Sequence, residues 1–549
     1  MDSPRIFVVG PRESLAGPLP SGSFRLSHNR WDDFGYKTTY SLSHVNASGN
    51  FETIGNVKVL RRGQQPSEKQ LLDRPFNSLP DDFVSLGQSL DYYQRLADMP
   101  ESDRDFILGA LRDVIQDSSG LAGLESEEGW NKSVLRDIDL NSNFLSMASI
   151  VLSQNYSALP SIDASFQFSM PGWNVPMEFS FDAPPVDDVR EYEEKITQGF
   201  AELPRRVSVI IGRNGSGKST LLSRLARIAH ASRRDRRRSR MTNLGTLTPD
   251  GLGFSRVVTV SYSAFDNFQI PGMTSRERRT IAQEIAKGTG RFVFCGLRDI
   301  ASELDAELGS EPEAGTIKTA LGDRQEVTVL KSANTLATEF SRIIARIRDL
   351  NRLSLLNSAL RPVLEDPSFN DVRDTLVQKI LSPDCEKAFI DWSTGHKIVI
   401  HAVCNLVAYV EKQALVLFDE PETHLHPPLL AALMHSLRCV LSAQEAYAVV
   451  ATHSPVVLQE TMAAHVHVIS REGAQTVLRR PVGETFGKNI GLLTSNVFNL
   501  TSQVTDFNDT LRKLALQTKD LAAIEALFAE GGISVQARAY VMAVLAQQG

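Results

Sequence analysis

The sequence predicts an α/β fold in which helices cover a mixed β-sheet. Three runs carry that prediction: Val207, Val209, Ile210 and Ile211; Leu415-Val416-Leu417-Phe418; and Val449-Val450-Ala451. Short apolar runs bounded by polar turns read as buried strands. Each of these ends in residues suited to chemistry: a Gly-rich turn after Ile211, Asp419-Glu420 after Phe418, and Thr452-His453 after Ala451.

In chain order, residues 1–64 read as an N-terminal β segment of the main lobe. Phe24-Arg25-Leu26-Ser27 and Tyr36 to Leu42 alternate, Asn46 to Asn50 form a turn cluster, and Val57 to Leu60 close the set. Residues 65–185 read as a mostly helical insertion with return strands. Phe106 to Ile115 carry helical spacing, while Phe166 to Phe181 look like strands ended by Pro184-Pro185.

Residues 186–270 form the expected P-loop core. Gly212-Arg213-Asn214-Gly215-Ser216-Gly217-Lys218-Ser219 is Gly, four residues, then Gly-Lys-Ser, and Thr220 to Arg227 read as the helix that follows. Strand, Gly-rich turn and helix together aim backbone N–H groups and a helix N-terminus at a phosphate. Arg213, Asn214, Gly215, Ser216, Gly217, Lys218, Ser219 and Thr220 are therefore the expected nucleoside-triphosphate-binding residues, ATP-binding residues under the resemblance drawn below. Lys218 reaches the phosphates, and Ser219 is an expected Mg²⁺ ligand. After this helix, Arg233 to Arg240 form the strongest charge run in the chain. Such a run reads either as a solvated loop or as a phosphate contact to nucleic acid. Val257 to Tyr262 read as another buried strand.

Residues 271–390 read as a helical lobe with a strand near Phe292-Val293-Phe294, and residues 391–481 as the rest of the catalytic core. Ser393-Thr394-Gly395-His396-Lys397 is a small polar turn before a helical run, another potential anion site. Asp419 is placed to hold the Mg²⁺ shell, and Glu420, one residue on, to act as general base on an attacking water. His424-Leu425-His426 reads as a polar turn rather than a metal pair. His453 ends a third strand, where an imidazole can meet the γ-phosphate or orient Glu420. Residues 482–549 read as a C-terminal helical cap. The helical stripes at Ala337 to Leu360 and Asp520 to Gln548 read as core of the second lobe and of that cap.

The bulk composition narrows the class. The chain has 549 residues, 42% apolar and 22% charged, which fits a globular protein of two or three lobes. A net charge of −7 argues against coating nucleic acid by bulk charge. The sequence has no apolar stretch of about 18 residues, and Ile6 to Val9 is too short for a signal segment. The four cysteines, Cys295, Cys385, Cys404 and Cys439, are scattered, as expected of reduced thiols in a cytoplasmic protein without a membrane partner.

Taken in order, the motifs resemble the heads of ABC-type ATPases, within the AAA family: Walker A at Gly212 to Ser219, a divergent signature at Ser393 to Lys397, Walker B at Leu415 to Glu420, and a switch histidine at His453. The resemblance implies a P-loop NTPase of ABC-ATPase head type that uses ATP and Mg²⁺. Lys218, Glu420 and His453 would be catalytic, and Ser219 and Asp419 would hold the metal. It also implies a homodimer or higher oligomer in which Ser393, Thr394 and Gly395 contact ATP in trans. Asp419 to Pro427 and Ala451 to Pro455 look like the SMC/RecF/OLD branch. Asn29 to Thr39, Val260 to Asp266 and Glu484 to Gly487 resemble the ATPase subunit (PtuA) of Septu or retron-associated anti-phage systems, with the ATPase of PARIS a second candidate. Two departures stand out: His396 replaces the usual Gln or Glu of the signature, and the Q-loop position is open among Gln269, Ser263 and Asp266.

That resemblance implies a regulatory ATPase that controls a separate nuclease, since no nuclease motif is evident in the chain. The alternatives are a RecF-like repair ATPase touching DNA through Arg233 to Arg240, and a nucleotide-dependent scaffold with negligible turnover.

Overall fold

The computed structural model describes residues 3–10, 17–29, 33–68, 72–138, 144–160, 165–173, 175–181, 204–308, 322–325, 327–472, 475–498, 507–528 and 532–547. Pro184-Pro185, the boundary between residues 185 and 186, Arg30 to Asp32, and residues 529–531 and 548 of the C-terminal stripe lie outside them.

Fifteen strands are described: β1 (Ile6–Val9), β2 (Phe24–His28), β3 (Thr39–Val45), β4 (Phe51–Arg61), β5 (Phe83–Gly87), β6 (Ser165–Ser169), β7 (Met177–Ser180), β8 (Val207–Ile211), β9 (Thr246–Thr248), β10 (Val257–Ser261), β11 (Phe292–Gly296), β12 (Leu415–Asp419), β13 (Tyr447–Thr452), β14 (Val466–Glu472) and β15 (Gln475–Arg479). They form three sheets.

The N-terminal sheet runs β1-β2-β3-β4-β5, with β1 parallel to β2 and the other pairs antiparallel. The helices Leu90–Ala97, Glu101–Ala110 and Phe144–Ser153 pack on it through Tyr92, Leu96, Ile107 and Val151. The helical reading from residue 65 onward missed β5. All five of its residues are buried, so the period-2 alternation that marks a half-buried strand is absent.

The central sheet runs β11-β10-β12-β13-β8-β14-β15, parallel except for the β14–β15 hairpin. Alternate residues of its inner strands feed different cores. Val416 and Phe418 of β12 join the cluster under the helices Ala333–Asp349, Leu353–Leu364, Thr394–Tyr409 and Pro427–Gln444. Leu415 and Leu417 face the helix Lys218–His230 on the other side. Burial on both faces is why these strands read as unbroken apolar runs. The strand expected near Phe292 is β11, and it is an edge of this sheet, so the 271–390 segment is tied to the central sheet and not only helical.

The third sheet, β7-β6-β9, packs Phe166, Phe168 and Phe179 against Leu221 and Leu225 of the helix after the P-loop. The return strands of the insertion therefore brace the nucleotide helix. The stripe at Ala337 to Leu360 is core, burying Phe340, Ile343, Ile347 and Leu356. The C-terminal helices form a small cluster of their own around Leu511, Ala515, Ile524 and Val541. Among the described residues no helix is long and apolar enough to cross a membrane.

Candidate nucleotide site

The P-loop leaves the C-terminal end of β8 and becomes the N-terminus of the helix Lys218–His230. A Cβ on Gly212 would stand 2.3 Å from the Ile469 carbonyl of β14, so the loop starts where only glycine fits. Gly217 sits at φ +94°, which frees the backbone to turn into the helix. Lys218 is buried, and its Nζ donates to the carbonyls of Gly212 (2.9 Å) and Arg213 (3.3 Å). Burial pulls its pKa down, against the nearby carboxylates of Glu420, Asp419 and Glu422.

β12 delivers Asp419 beside this helix. Ser219 Oγ donates to Asp419 Oδ1 at 3.1 Å, bringing together two expected metal ligands 200 positions apart in the chain. Burial pushes the Asp419 carboxyl up to about 8 against that hydrogen bond, and Asp266 and Glu420 add to the rise. A buried carboxylate that cannot comfortably carry its charge alone fits a site built for a cation. The P-loop amides, Lys218, Ser219 and Asp419 thus fit Mg²⁺ with a nucleoside triphosphate.

Glu420 follows at φ +46°, a left-handed conformation that costs a non-glycine residue about 1 kcal/mol or more. Its N–H donates to Ala451 O of β13 (2.8 Å), which holds the turn in place. Such an outlier at the end of a buried strand points to function.

His453 leaves the neighbouring strand β13. Its Nδ1 is 3.8 Å from Glu420 Oε1 and 2.9 Å from Glu422 Oε1. Glu422 Oε1 also accepts from the His453 backbone N–H (2.7 Å) and from Thr452 Oγ1 (2.8 Å). The hydrogen bond to Glu422 raises the imidazole pKa against the effect of burial, and both carboxylates add to it. Burial alone would push Glu422 upward, but its bonds with His453 outweigh that and hold it below the usual range. Glu422 was not singled out from sequence. The available signal was a third acidic residue two positions beyond Glu420.

The signature-like turn lies beside this assembly. Ser393 caps the helix Thr394–Tyr409 by accepting from His396 N–H, and Ser393 and Thr394 are exposed. A Cβ on Gly395 would lie 3.5 Å from His424 O, so the turn abuts the segment that follows Glu420. The His396 ring packs on Phe369, with centroids 4.0 Å apart. The structure does not bring Ser393, Thr394 or Gly395 against a P-loop residue of the same chain by any hydrogen bond described. His426 caps its own helix through Nδ1, 3.4 Å from Leu429 N, which is a structural use.

Gln269 is engaged elsewhere: its Oε1 accepts from Arg278 Nη1 (2.6 Å) and its Nε2 donates to Arg324 O (3.0 Å). Asp266 is buried, 3.3 Å from Arg298, and its charge adds to the rise of the Asp419 pKa.

The basic run is largely used internally. Arg236 donates to Ile228 O (2.8 Å), Ala229 O (3.0 Å) and Leu252 O (2.7 Å), capping the end of the P-loop helix. Arg233 and Arg237 share Asp250, and Arg238 pairs with Asp235.

Residues 340–459, which carry the signature turn, Asp419, Glu420 and His453, match the family model described as AAA domain, putative AbiEii toxin, Type IV TA system. The chain is also 31% identical over 484 residues to Protein ea59 of Escherichia phage lambda, covering 86% of this chain and 85% of the relative. The chain belongs to the Ea59 family. Within this Ea59-family chain the AAA-family ATPase domain supplies the second half of the site, and the P-loop lies upstream of the matched region. Among solved structures, UvrA2 from Deinococcus radiodurans aligns over 63% of this chain and 40% of its own, at 16% identity. Its TM-score of 0.26 is too low to carry an argument.

Proposed function

We propose that the chain binds ATP with Mg²⁺ and hydrolyses it to ADP and phosphate. The observation that carries this reading is the convergence of Ser219, Asp419, Glu420 and His453 at the carboxyl ends of β8, β12 and β13. Ser219 and Asp419 would hold the Mg²⁺, which supplies positive charge to the phosphates when bound. Lys218 and the P-loop amides bind and orient the triphosphate. Glu420 takes a proton from the attacking water, and Glu422 fixes the His453 ring that faces the same space.

The reading extends to an ATP-closed dimer. Ser393 and Thr394 stand exposed at a helix N-terminus beside the Walker B turn, as required of groups that contact ATP held by a second copy. The resemblance to Septu and retron-associated ATPases supports an anti-phage role with a separate nuclease as effector. Engagement of Arg236, Arg233 and Arg237 within the chain weighs against the alternative, a RecF-like DNA contact through this run.

The deciding experiment compares wild type with Glu420→Gln for phosphate release and for mass by light scattering with ATP. Loss of turnover with retained ATP binding and an ATP-dependent dimer supports the reading. Equal, negligible turnover in both proteins would favour a nucleotide-dependent scaffold.

A further inference from the structure

At the end of the central sheet opposite the nucleotide site lies a cavity of about 450 Å³ lined by Tyr156, Arg256, Arg346, Arg352, Glu411 and Lys412. Arg256 immediately precedes β10, and Lys412 precedes β12. Leu415 N–H donates to Arg256 O (2.9 Å), fixing the two strand entries to one another. Asp419 ends β12 a strand length away, about 17 Å for five residues. Nothing at this cavity belongs to the ATP machinery.

The charges do not balance. Arg256, Arg346, Arg352 and Lys412 face Glu411 and Glu445 in the lining, and Asp98 acts on Arg256 from outside the lining, so the cations still outnumber the carboxylates. Arg352 Nη2 takes Glu411 Oε2 at close range, while Arg256 Nη1 and Arg346 Nη2 each stand 3.9 Å from Glu411 Oε1. Lys412 pairs with Glu445 at 2.8 Å. Arg346 and Arg352 also donate to Ala408 O (2.9 Å), Val407 O (2.9 Å) and Val410 O (3.0 Å), which fixes their guanidinium planes.

Arg256 is the anomaly. It is 3% exposed, its Nε is buried without an acceptor, and its ion pair with Glu411 is at the limit of contact. A buried guanidinium with an unsatisfied Nε–H is costly, and native structures avoid it unless something fills the role of acceptor. The surplus of positive charge, the planar forks and the volume all fit an oxyanion better than an apolar ligand.

We propose that this cavity is a second anion site that binds a small phosphate-bearing molecule, with Arg256 and Lys412 as its principal contacts. A volume of about 450 Å³ falls in the range of small-molecule sites and exceeds what a single phosphate needs. The phosphate therefore comes with a further group, and pyrophosphate should bind more tightly than inorganic phosphate.

The test uses the full chain carrying Lys218→Ala, which weakens phosphate binding at the P-loop. Inorganic phosphate and pyrophosphate are titrated by calorimetry and thermal shift against sodium chloride of matched ionic strength. Binding is expected with pyrophosphate tighter than phosphate, weakened at least about tenfold by Lys412→Gln and abolished by Arg256→Met. Without anion, Arg256→Met should stay folded, because Arg352 still neutralises Glu411. Should Arg256→Met not fold, Lys412→Gln carries the test. Stabilisation equalled by chloride, affinity unchanged in the folded variants, or no binding at all would overturn the proposal and leave water as the partner of Arg256.

Discussion

Glu422 Oε1 receives both the backbone N–H and the ring Nδ1 of His453, at 2.7 and 2.9 Å, so one carboxylate oxygen fixes the position and the rotation of that imidazole. Thr452 Oγ1 donates to the same oxygen at 2.8 Å. Glu422 is part-buried and forms no contact of its own with the P-loop in the described hydrogen bonds, so it would act on the proposed hydrolysis mainly by holding His453, with its charge also felt by Lys218.

Glu422→Gln should therefore lower turnover by about tenfold to a hundredfold, the usual cost of removing a group that orients a functional imidazole. ATP affinity should change by less than about threefold, because the P-loop contacts remain. The ring would lose the partner that raises its pKa, so any limb of the rate profile governed by His453 should move to lower pH. Steady-state kinetics across pH, with separate kcat and KM, measure this. A fall in KM-linked binding with kcat unchanged would assign Glu422 to the nucleotide pocket instead.

Glu420 and Lys218 should separate by what they break. Glu420→Gln keeps the shape of the turn but removes the proton acceptor, so hydrolysis should drop by about a hundredfold or more with binding retained. Lys218→Ala removes a buried cation whose Nζ reaches the loop carbonyls, and ATP affinity should fall about tenfold to a hundredfold. Filter binding of labelled ATP, run beside phosphate release, distinguishes the two.

The strands that carry the candidate site were legible because they are buried on both faces and run into Gly212, Asp419 and His453. β5 was not, since its burial removes the alternation and a helix begins three residues after it. β11 was seen as a strand, but its place beside β10 depends on pairing across 35 residues, which no local pattern encodes. Glu422 was hidden by its more conspicuous neighbours Asp419 and Glu420. Gln269 had the expected residue type near the expected place, yet tertiary contacts with Arg278 and Arg324 use it.

The same lesson governs the basic run. Arg236 caps carbonyls at the end of the P-loop helix, and removing it strands the Ile228, Ala229 and Leu252 oxygens together. Arg236→Ala should lose about 2–4 kcal/mol of stability. Arg237→Ala and Arg238→Ala remove exposed pairs and should stay within about 0.5 kcal/mol. Denaturant melts of the three single variants read this directly. The comparison also protects any nucleic-acid assay, because a combined alanine variant would lose stability and contact together.

Acid should destabilise the fold through His401, which lies on the helix Thr394–Tyr409 at the heart of the main core. Burial pushes its pKa down to about 4, and Tyr262 Oη lies 2.8 Å from its Nδ1. Between the ordinary histidine value of about 6.5 and that lowered value, the unfolded chain binds a proton that the folded chain refuses. Stability from this group is therefore full above about pH 6.5 and declines as pH falls towards 4, by about 2 kcal/mol between pH 6.5 and 5. His467, lowered to about 3 by burial, acts in the same direction. His401→Gln cannot take up the proton, so its stability should fall less steeply across this range while the His467 contribution persists. Urea melts of both proteins at pH 7.5 and pH 5 isolate the difference. Parallel pH slopes would show that His401 is protonated with equal ease in the folded and unfolded chains.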